Sequence, residues 1–413
     1  MSYKDWVKYK LEDLYDINPE TSSGKPIPGT EYIYLTPKKI TGNLFLPQER
    51  TTFSDETDKN LIFSSVKKGD IFWAVQQEKD MALVALNDFP LIAFSRSVKQ
   101  LRLKKNPDVA LHPEFITYYL RSPLVYRQMA KYSSSSIRFS IINNIINNLE
   151  IVLPSEENQI RIGRVLKTLD DKIKNNSEMN RTLTEMAHTL FSDWFLHFRS
   201  PSVSKKKKYS ELGFIPEDWE VISLEEFCEI QTGYPFKSEN YTEKGEVGIV
   251  KIKNIRENFI DILATDFVET QVVASIDNKY KLESNALLIA LSGSDMGKVG
   301  LVPPLKKNQQ LWLNQRIAMC KEKSRFGNFF LYLLLSTDTY QSKLRNLAMG
   351  TAQPNISITA IEKIRAIIPP ANLIKQFGEK VYPMFERILA NHAENENLEL
   401  TRNNLLNQLI SAR

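Results

Sequence analysis

The sequence predicts an α+β protein built as one unit written twice, with two similar α+β domains and two long coiled-coil helices. Three observations carry that expectation. From Ile162, alternating steps of four and three residues land on Leu166, Leu169, Ile173, Asn176, Asn180, Leu183, Ala187, Leu190 and Trp194. An apolar row repeating about every 3.5 residues is the signature of a helix that pairs lengthwise with another. From Ile374 the same step gives Phe377, Val381, Met384, Ile388, Asn391, Asn395, Leu398, Arg402, Leu405 and Leu409. Both rows break at two asparagines, and the pairs stand 215 positions apart (Asn176 to Asn391). The third observation is a set of shared landmarks ahead of each row, described in order below.

The two seam helices can satisfy each other. Paired antiparallel with Asn176 opposite Asn395, Asn180 meets Asn391, Ile162 meets Leu409 and Trp194 meets Phe377. A buried amide is costly unless bonded, so two asparagine layers would fix register at some expense of stability. Parallel pairing also matches asparagine with asparagine, and solvent-facing asparagines on an ordinary bundle helix are the alternative to both. A proline lacks the amide proton a helix interior needs, so Pro383 is expected to kink or delay the second helix.

The first copy opens on Asp5-Trp6, Leu11-Glu12 and Ile17; the second opens on Asp218-Trp219, Leu224-Glu225 and Ile230. A helix-like stretch follows in each, with Phe115, Tyr118, Leu120, Ser122 and Tyr126 recurring as Phe329, Tyr332, Leu334, Ser336 and Tyr340. Each copy then closes on a short apolar strand and a proline, Leu149 to Pro154 and Ile364 to Pro370. Ordered self-similarity of this kind marks an internal duplication. The expected boundaries are residues 1–154 for the first domain, 155–200 for a central spacer helix, 201–212 for a basic linker, 213–370 for the second domain and 371–413 for a C-terminal spacer helix. Between the landmarks the copies diverge, with short apolar strands such as 71–75 and 286–290 set among Gly-, Ser-, Lys- and Asn-rich loops. Shared scaffold with different loops points to related but non-identical targets. In the join, Lys205 to Lys208 read as a solvated linker, with a phosphate-touching strap as the alternative. Leu190, Phe191, Trp194, Phe195 and Phe198 make an aromatic helix end expected to pack under a neighbouring domain, with a partner subunit as the alternative.

Length and composition bound the answer. A chain of 413 residues suits two domains, and 42% hydrophobic with 25% charged residues argues against disorder. The formal charge of +5 permits an acidic partner without demanding one. No apolar run approaches the ~20 residues that cross a bilayer, and Met1-Ser2-Tyr3-Lys4-Asp5 is no signal peptide. Cys228 and Cys320, far apart in sequence, suit a reducing cytoplasm as two plain buried thiols.

No chemistry-bearing motif emerges. The Asn-Pro pairs at 18 and 106 are followed by Glu and Asp, unlike a site that holds a flipped base. Gly293 to Lys298 has the wrong glycine spacing for a phosphate-binding loop. Asp170-Asp171-Lys172 resembles part of a nuclease set, but it lies on the seam helix and reads as a solvated face. His112, His188, His197 and His392 show no metal-ligand spacing. The chain therefore reads as a non-catalytic binding and scaffolding protein, without a cofactor or metal of its own.

Its candidate contacts are basic and amide residues in the loop-rich halves: Lys38, Lys39, Arg96, Lys99 and Arg138 in the first copy, and Lys251, Lys253, Arg256, Lys298, Arg316, Gln353 and Asn355 in the second. Arg and Lys can read guanine, Asn and Gln can read adenine, and the remaining cations can neutralise phosphate. A seam of about 33 residues is ~50 Å of helix, enough to set two recognition domains about one DNA turn apart.

Along nearly its whole length the chain resembles the specificity subunits of Type I restriction-modification enzymes. The resemblance is carried by the two Trp-x4-Leu-Glu openings and by the spacer running from Leu166-x2-Leu169-Asp170-x-Lys172-Ile173 to Leu190-Phe191-x2-Trp194-Phe195. Gly350-Thr351-Ala352-Gln353-Pro354-Asn355-Ile356-Ser357 is similar to the family's lead into the last strand of a recognition domain, whereas Ser135-Ser136-Ile137-Arg138-Phe139-Ser140 departs from it. The resemblance implies an antiparallel spacer and two target-recognition domains that read a split double-stranded DNA sequence. It also implies two modification subunits, adenine-N6 methyltransferases using S-adenosylmethionine, and restriction subunits using ATP and Mg²⁺, all in the cytoplasm.

Overall fold

The computed structural model describes residues 6–19, 30–37, 40, 50–52, 61–74, 81–84, 89–95, 97–104, 109–131, 145–200, 203–256, 258–262, 265–322, 326–348 and 355–411. The chain forms two compact units, one of residues 1–176 with 394–413 and the other of residues 177–393. Each unit therefore takes a recognition domain together with a segment of both long helices.

The first unit runs β1 (Val7–Lys10), α1 (Leu11–Leu14), β2 (Tyr15–Ile17), β3 (Glu31–Leu35), β4 (Arg50–Thr52), β5 (Leu61–Val66), β6 (Ile71–Ala74), β7 (Met81–Val84), β8 (Phe89–Ser95), β9 (Val98–Leu103), α2 (Pro113–Leu120), α3 (Pro123–Ala130) and β10 (Glu150–Leu153). The long helix α4 (Glu156–Phe191) follows. One sheet has the order β2-β9-β6-β7 and a second the order β4-β3-β8-β5. All four residues of β6 are buried, and their alternation explains why. Ile71 and Trp73 point into a core shared with α2, while Phe72 and Ala74 point into a core shared with β3 and β8. Successive side chains of a strand face opposite ways, so a strand apolar throughout is one covered on both faces.

The second unit repeats this plan. Its strands are β11 (Lys207–Ser210), β12 (Gly213–Pro216), β13 (Glu220–Ser223), β14 (Cys228–Thr232), β15 (Tyr241–Thr242), β16 (Val247–Val250), β17 (Asn258–Phe259), β18 (Asp266–Val268), β19 (Leu287–Ala290), β20 (Val299–Leu301), β21 (Gln310–Leu313), β22 (Ile317–Glu322) and β23 (Arg365–Ile368). Its helices are α5 (Leu224–Phe227), α6 (Thr270–Val273), α7 (Gly327–Ser336), α8 (Asp338–Asn346) and α9 (Ile358–Glu362), followed by the long α10 (Ala371–Ser411). The sheet order β14-β22-β19-β20-β17 extends the first unit's β2-β9-β6-β7 by one strand, and the other sheet is β15-β18-β16-β21. Leu287 and Ile289 of β19 face the helical core, Leu288 and Ala290 the inter-sheet core, as in β6. Each inter-sheet core rests on a parallel pair, β3 with β8 and β16 with β21. The scaffold is thus duplicated even where the two sequences diverge.

Entry and exit coincide in both copies. β1 pairs antiparallel with β10, placing Val7 opposite Leu153, and β13 pairs with β23, placing Glu220 opposite Ile368. Helices α4 and α10 start directly beyond these ribbons. Gly163 of α4 has the backbone nitrogen of Phe115 3.3 Å from where a Cβ would stand, and its counterpart Gly378 of α10 has Phe326 Cβ at 2.2 Å. The close approach at Gly378 requires glycine, whereas at Gly163 a Cβ would be tight but could be met by a small shift.

Candidate nucleic-acid interface and its spacer

In the second unit several loops meet at one end of the strands β14, β22 and β19. Gly233 donates its amide to Ile317 O at 3.3 Å, Tyr234 donates to Leu313 O at 2.8 Å, and Gln315 donates back to Tyr234 O at 3.1 Å. A Cβ on Gly233 would stand 2.2 Å from Leu313 O, so this approach requires glycine. Leu291 donates to Arg316 O at 3.0 Å, Ile356 donates to Leu291 O at 2.8 Å, and Ser292 bridges Asn355. The turn at Gln315–Arg316, the loop opening at Ser292 and the segment entering at Asn355 are therefore stitched together, with Gln315, Arg316 and Asn355 exposed. Gly233 and Tyr234 were not among the expected residues; a Gly-Tyr-Pro-Phe run straight after a strand is the sequence signal that marks them.

The other candidates of this unit are held by carboxylates. Lys251 and Lys253 reach the two oxygens of Asp266 at 2.7 and 2.6 Å, and the Lys251 ammonium also sits 3.4 Å from the Tyr241 ring centroid. Burial works to raise the Asp266 carboxyl, but the hydrogen bonds from both lysines outweigh it and hold it below the usual range. Arg256 pairs with Asp261 at 3.3 Å and Lys298 with Asp295 at 3.7 Å.

Of the first copy's candidates, Lys38, Lys39, Arg96 and Arg138 lie outside the described residues, as does Gln353 of the second. Lys99 corrects an expectation. It lies on β9, opposite Trp73 of β6, at 5% exposure, and burial lowers its pKa. It is not presented to a duplex, because Lys99-Gln100-Leu101-Arg102 is a central strand rather than a loop. Its neighbours form a buried polar set in which Asp70 accepts from Gln100 at 2.7 Å and from Arg102 at 2.8 and 3.0 Å.

The spacer carries the predicted antiparallel register. Within the first unit Asn176 donates to Asn395 Oδ1 at 2.9 Å and to Glu394 at 2.8 Å, and Asn395 donates to Ile173 O at 3.4 Å. Within the second unit Asn391 donates to Asn180 Oδ1 at 2.7 Å, and Asn180 donates to Ile388 O at 3.3 Å. Trp194 meets Phe377 with ring centroids 5.9 Å apart. On the seam Leu166, Asn176, Asn180, Trp194, Val381, Ile388 and Asn391 are buried, while Leu169, Ile173, Leu183, Leu190, Asn395, Leu398, Leu405 and Leu409 are half-buried at the rim. The aromatic end packs under the second domain, as Phe195 lies 5.0 Å from Phe330 and 5.9 Å from Trp219.

Three further expectations are corrected. Asp170 is not on a solvated face. It is 6% exposed, accepts from Tyr118 at 2.6 Å and from Arg402 at 2.6 Å, and lies 3.4 Å from Arg121. Burial and the adjacent carboxylate push the Tyr118 hydroxyl well up, so it remains the donor. Pro383 does not delay its helix, which is continuous from Ala371 to Ser411. Pro383 and Glu379 are both exposed, so the carbonyl left without a helical partner can bond to water. The basic linker is partly structured: Lys207 and Lys208 belong to a β-hairpin, with Tyr209 against Phe214 across the strands at 5.4 Å. Cys228 and Cys320 are the buried free thiols expected; they lie on adjacent strands β14 and β22, where the hydrogen bond that the Cys320 thiol donates to Cys228, together with burial, holds Cys320 well up.

His392 on α10 stacks on Phe259 of β17, 3.7 Å between centroids and 19° between planes, which fastens the recognition domain to the spacer inside the second unit. Burial pushes this imidazole down to about 4, against a weaker pull upward from Asp261. The unfolded chain binds a proton near 6.5, so the contribution is complete above that pH and is lost as pH falls from 6.5 toward 4. The loss is at most about 3 kcal/mol. We expect the melting temperature to fall over that window in the unmodified chain and to fall visibly less in His392→Gln; equal slopes in the two proteins would remove His392 as the cause.

A twice-written recognition fold whose copies each close on one helix of a register-locked pair defines a bivalent binding scaffold. Comparison with known proteins makes this specific. Residues 3–185 and 216–400 each match the family described as the Type I restriction modification DNA specificity domain, and the chain belongs to that family. It is 25% identical to the Type I restriction enzyme MjaIX specificity subunit of Methanocaldococcus jannaschii, covering 98% of this chain and 93% of that protein. It is also 25% identical to the HindI specificity subunit of Haemophilus influenzae, covering 98% and 99%. The crystal structure of the S subunit of a Type I system from M. genitalium shares the fold, with a TM-score of 0.58 at 18% identity over 98% of this chain and 96% of that one. Among the described residues no helix is long and apolar enough to cross a membrane.

Proposed function

We infer that this chain is the DNA-reading specificity subunit of a Type I restriction-modification complex. Each recognition domain reads one half of a split double-stranded target, and the paired spacer helices scaffold two adenine-N6 modification subunits and the restriction subunits. The observation that carries this reading is the duplication itself: the specificity-domain family matches both copies, and each copy closes on one helix of the spacer. In the second copy the joined loops around Arg316 and Asn355 supply a guanidinium and an amide, the groups that read guanine and adenine edges. The chain contributes recognition and assembly. Its modification partners supply methyl transfer from S-adenosylmethionine, and its restriction partners supply ATP- and Mg²⁺-dependent work, in the cytoplasm where the DNA lies.

The test is to map N6-methyladenine across the genome of cells that carry a modification subunit with or without this chain. A split motif should appear only with the chain. Exchanging residues 1–154 for those of another family member should change one half of the motif and leave the other half intact. Both halves changing together, or no motif with a partner proven active, would overturn the reading.

A further inference from the structure

We propose that Asp170 and Arg402 make the two spacer helices of one chain select each other over the same helices of a second copy. The need for such a selector follows from the duplication. Because the asparagines recur at a constant offset, α4 could pair antiparallel with α4 of a second copy, with Asn176 meeting Asn180 and Ile162 meeting Trp194. Likewise α10 could pair with α10, with Asn391 meeting Asn395 and Phe377 meeting Leu409. Each of these layers is amide on amide or apolar on apolar. The asparagines therefore set register and say nothing about which helix is the partner.

The ion pair breaks this equivalence. At the same offset of 215, Asp170 corresponds to Phe385 and Arg402 to Ala187. Asp170 and Arg402 are 6% and 7% exposed and bonded at 2.6 Å, whereas Ala187 and Phe385 are fully buried in the apolar core of the second unit. In the pairing found here, charge meets charge in one place and apolar meets apolar in the other. In either self-pairing each charged residue meets an apolar one: Asp170 would face Ala187 of the second copy, and Arg402 would face Phe385 of the second copy. Asp170 would keep Tyr118 and the longer contact to Arg121. Among the described residues Arg402 would keep only Asn403, at 3.2 and 3.3 Å. A buried guanidinium stripped of its carboxylate is strongly disfavoured, so Arg402 carries most of the discrimination.

The test uses the full chain, unfolded in urea and refolded at a series of protein concentrations, with the dimer fraction read by size-exclusion chromatography and light scattering. The double substitution Asp170→Phe with Arg402→Ala installs the residues that the other repeat carries at these places. It should raise the dimer fraction at least tenfold over the unmodified chain at equal concentration. Arg402→Ala alone should give a smaller rise in the same direction and is the deciding variant if the double substitution fails to regain its circular dichroism. A dimer fraction equal to that of the unmodified chain in whichever variant refolds, or an unmodified chain that itself refolds mainly as a dimer, overturns the proposal.

Discussion

Asn180→Leu alone lowers the melting temperature by several degrees, whereas replacing Asn176, Asn180, Asn391 and Asn395 together by leucine raises it. The opposite signs follow from what each change leaves behind. Removing Asn180 takes away the acceptor 2.7 Å from Asn391 Nδ2 in a buried layer, and a buried polar group without its partner costs about 1–3 kcal/mol. For a unit of roughly 200 residues that is a shift of a few degrees per kcal/mol. Removing all four leaves no amide unsatisfied on the seam and adds apolar burial of about 25 cal/mol per Å². The same quadruple change deletes the only amide layers that penalise sliding, so amide protons along the spacer should exchange faster even as the melting point rises. Calorimetry and hydrogen exchange on the two variants decide the matter; a quadruple variant that melts well below the unmodified chain would show that the asparagines stabilise rather than specify.

Gly233→Ala is the substitution with the largest expected effect on recognition. Its Cβ would lie 2.2 Å from Leu313 O, 2.4 Å from Leu313 C and 2.5 Å from Asn314 C. All three are backbone atoms, so no side-chain rotation relieves the clash and the strand end must move. That strand end continues into the exposed Gln315–Arg316 turn, which Tyr234 also holds by backbone hydrogen bonds. The direct cost to stability is about 1–3 kcal/mol, as for other overpacked sites. Methylation at sites carrying the half of the motif read by the second domain should drop more than tenfold, while the sequence preference of the other half stays as it was. Equal methylation in the variant would separate this loop from recognition.

The spacer and the duplicated frame were legible because they are periodic. A seam on a four-three step and landmarks at a constant offset are properties of the sequence alone; the asparagines restricted the register, and the antiparallel direction that the hydrogen bonds carry came from the family resemblance. What escaped were features made by residues that meet only in three dimensions. Asp170 stands one position off the seam and its partner Arg402 is 232 residues away, so neither signals a buried ion pair. Lys99 sits in a charged stretch that reads as a loop until β9 is seen paired between β2 and β6. Cys228 and Cys320 become neighbours only through the pairing of β14 with β22. Lys207 and Lys208 looked like solvated linker because the hairpin partner, Gly213 to Pro216, carries only one strongly strand-like residue pair. Which candidate cations pair with a carboxylate was not legible, since a cation on a loop and a cation beside its own carboxylate are indistinguishable in a sequence. Lys251, Lys253, Arg256 and Lys298 are of the second kind.

The antiparallel ribbons β1–β10 and β13–β23 turn each recognition domain into a cassette with a single gatepost. The chain enters and leaves through two hydrogen-bonded strands whose register is set locally, Val7 on Leu153 and Glu220 on Ile368. Whatever happens to loop length between those strands is absorbed inside the cassette and does not shift the first turn of the helix that follows. Insertions, deletions or wholesale replacement of the reading surface thus leave the geometry of the spacer unchanged. A lineage can therefore trade one half of its recognition vocabulary by recombination between the gateposts, without renegotiating how its remaining half or its assembly partners are held.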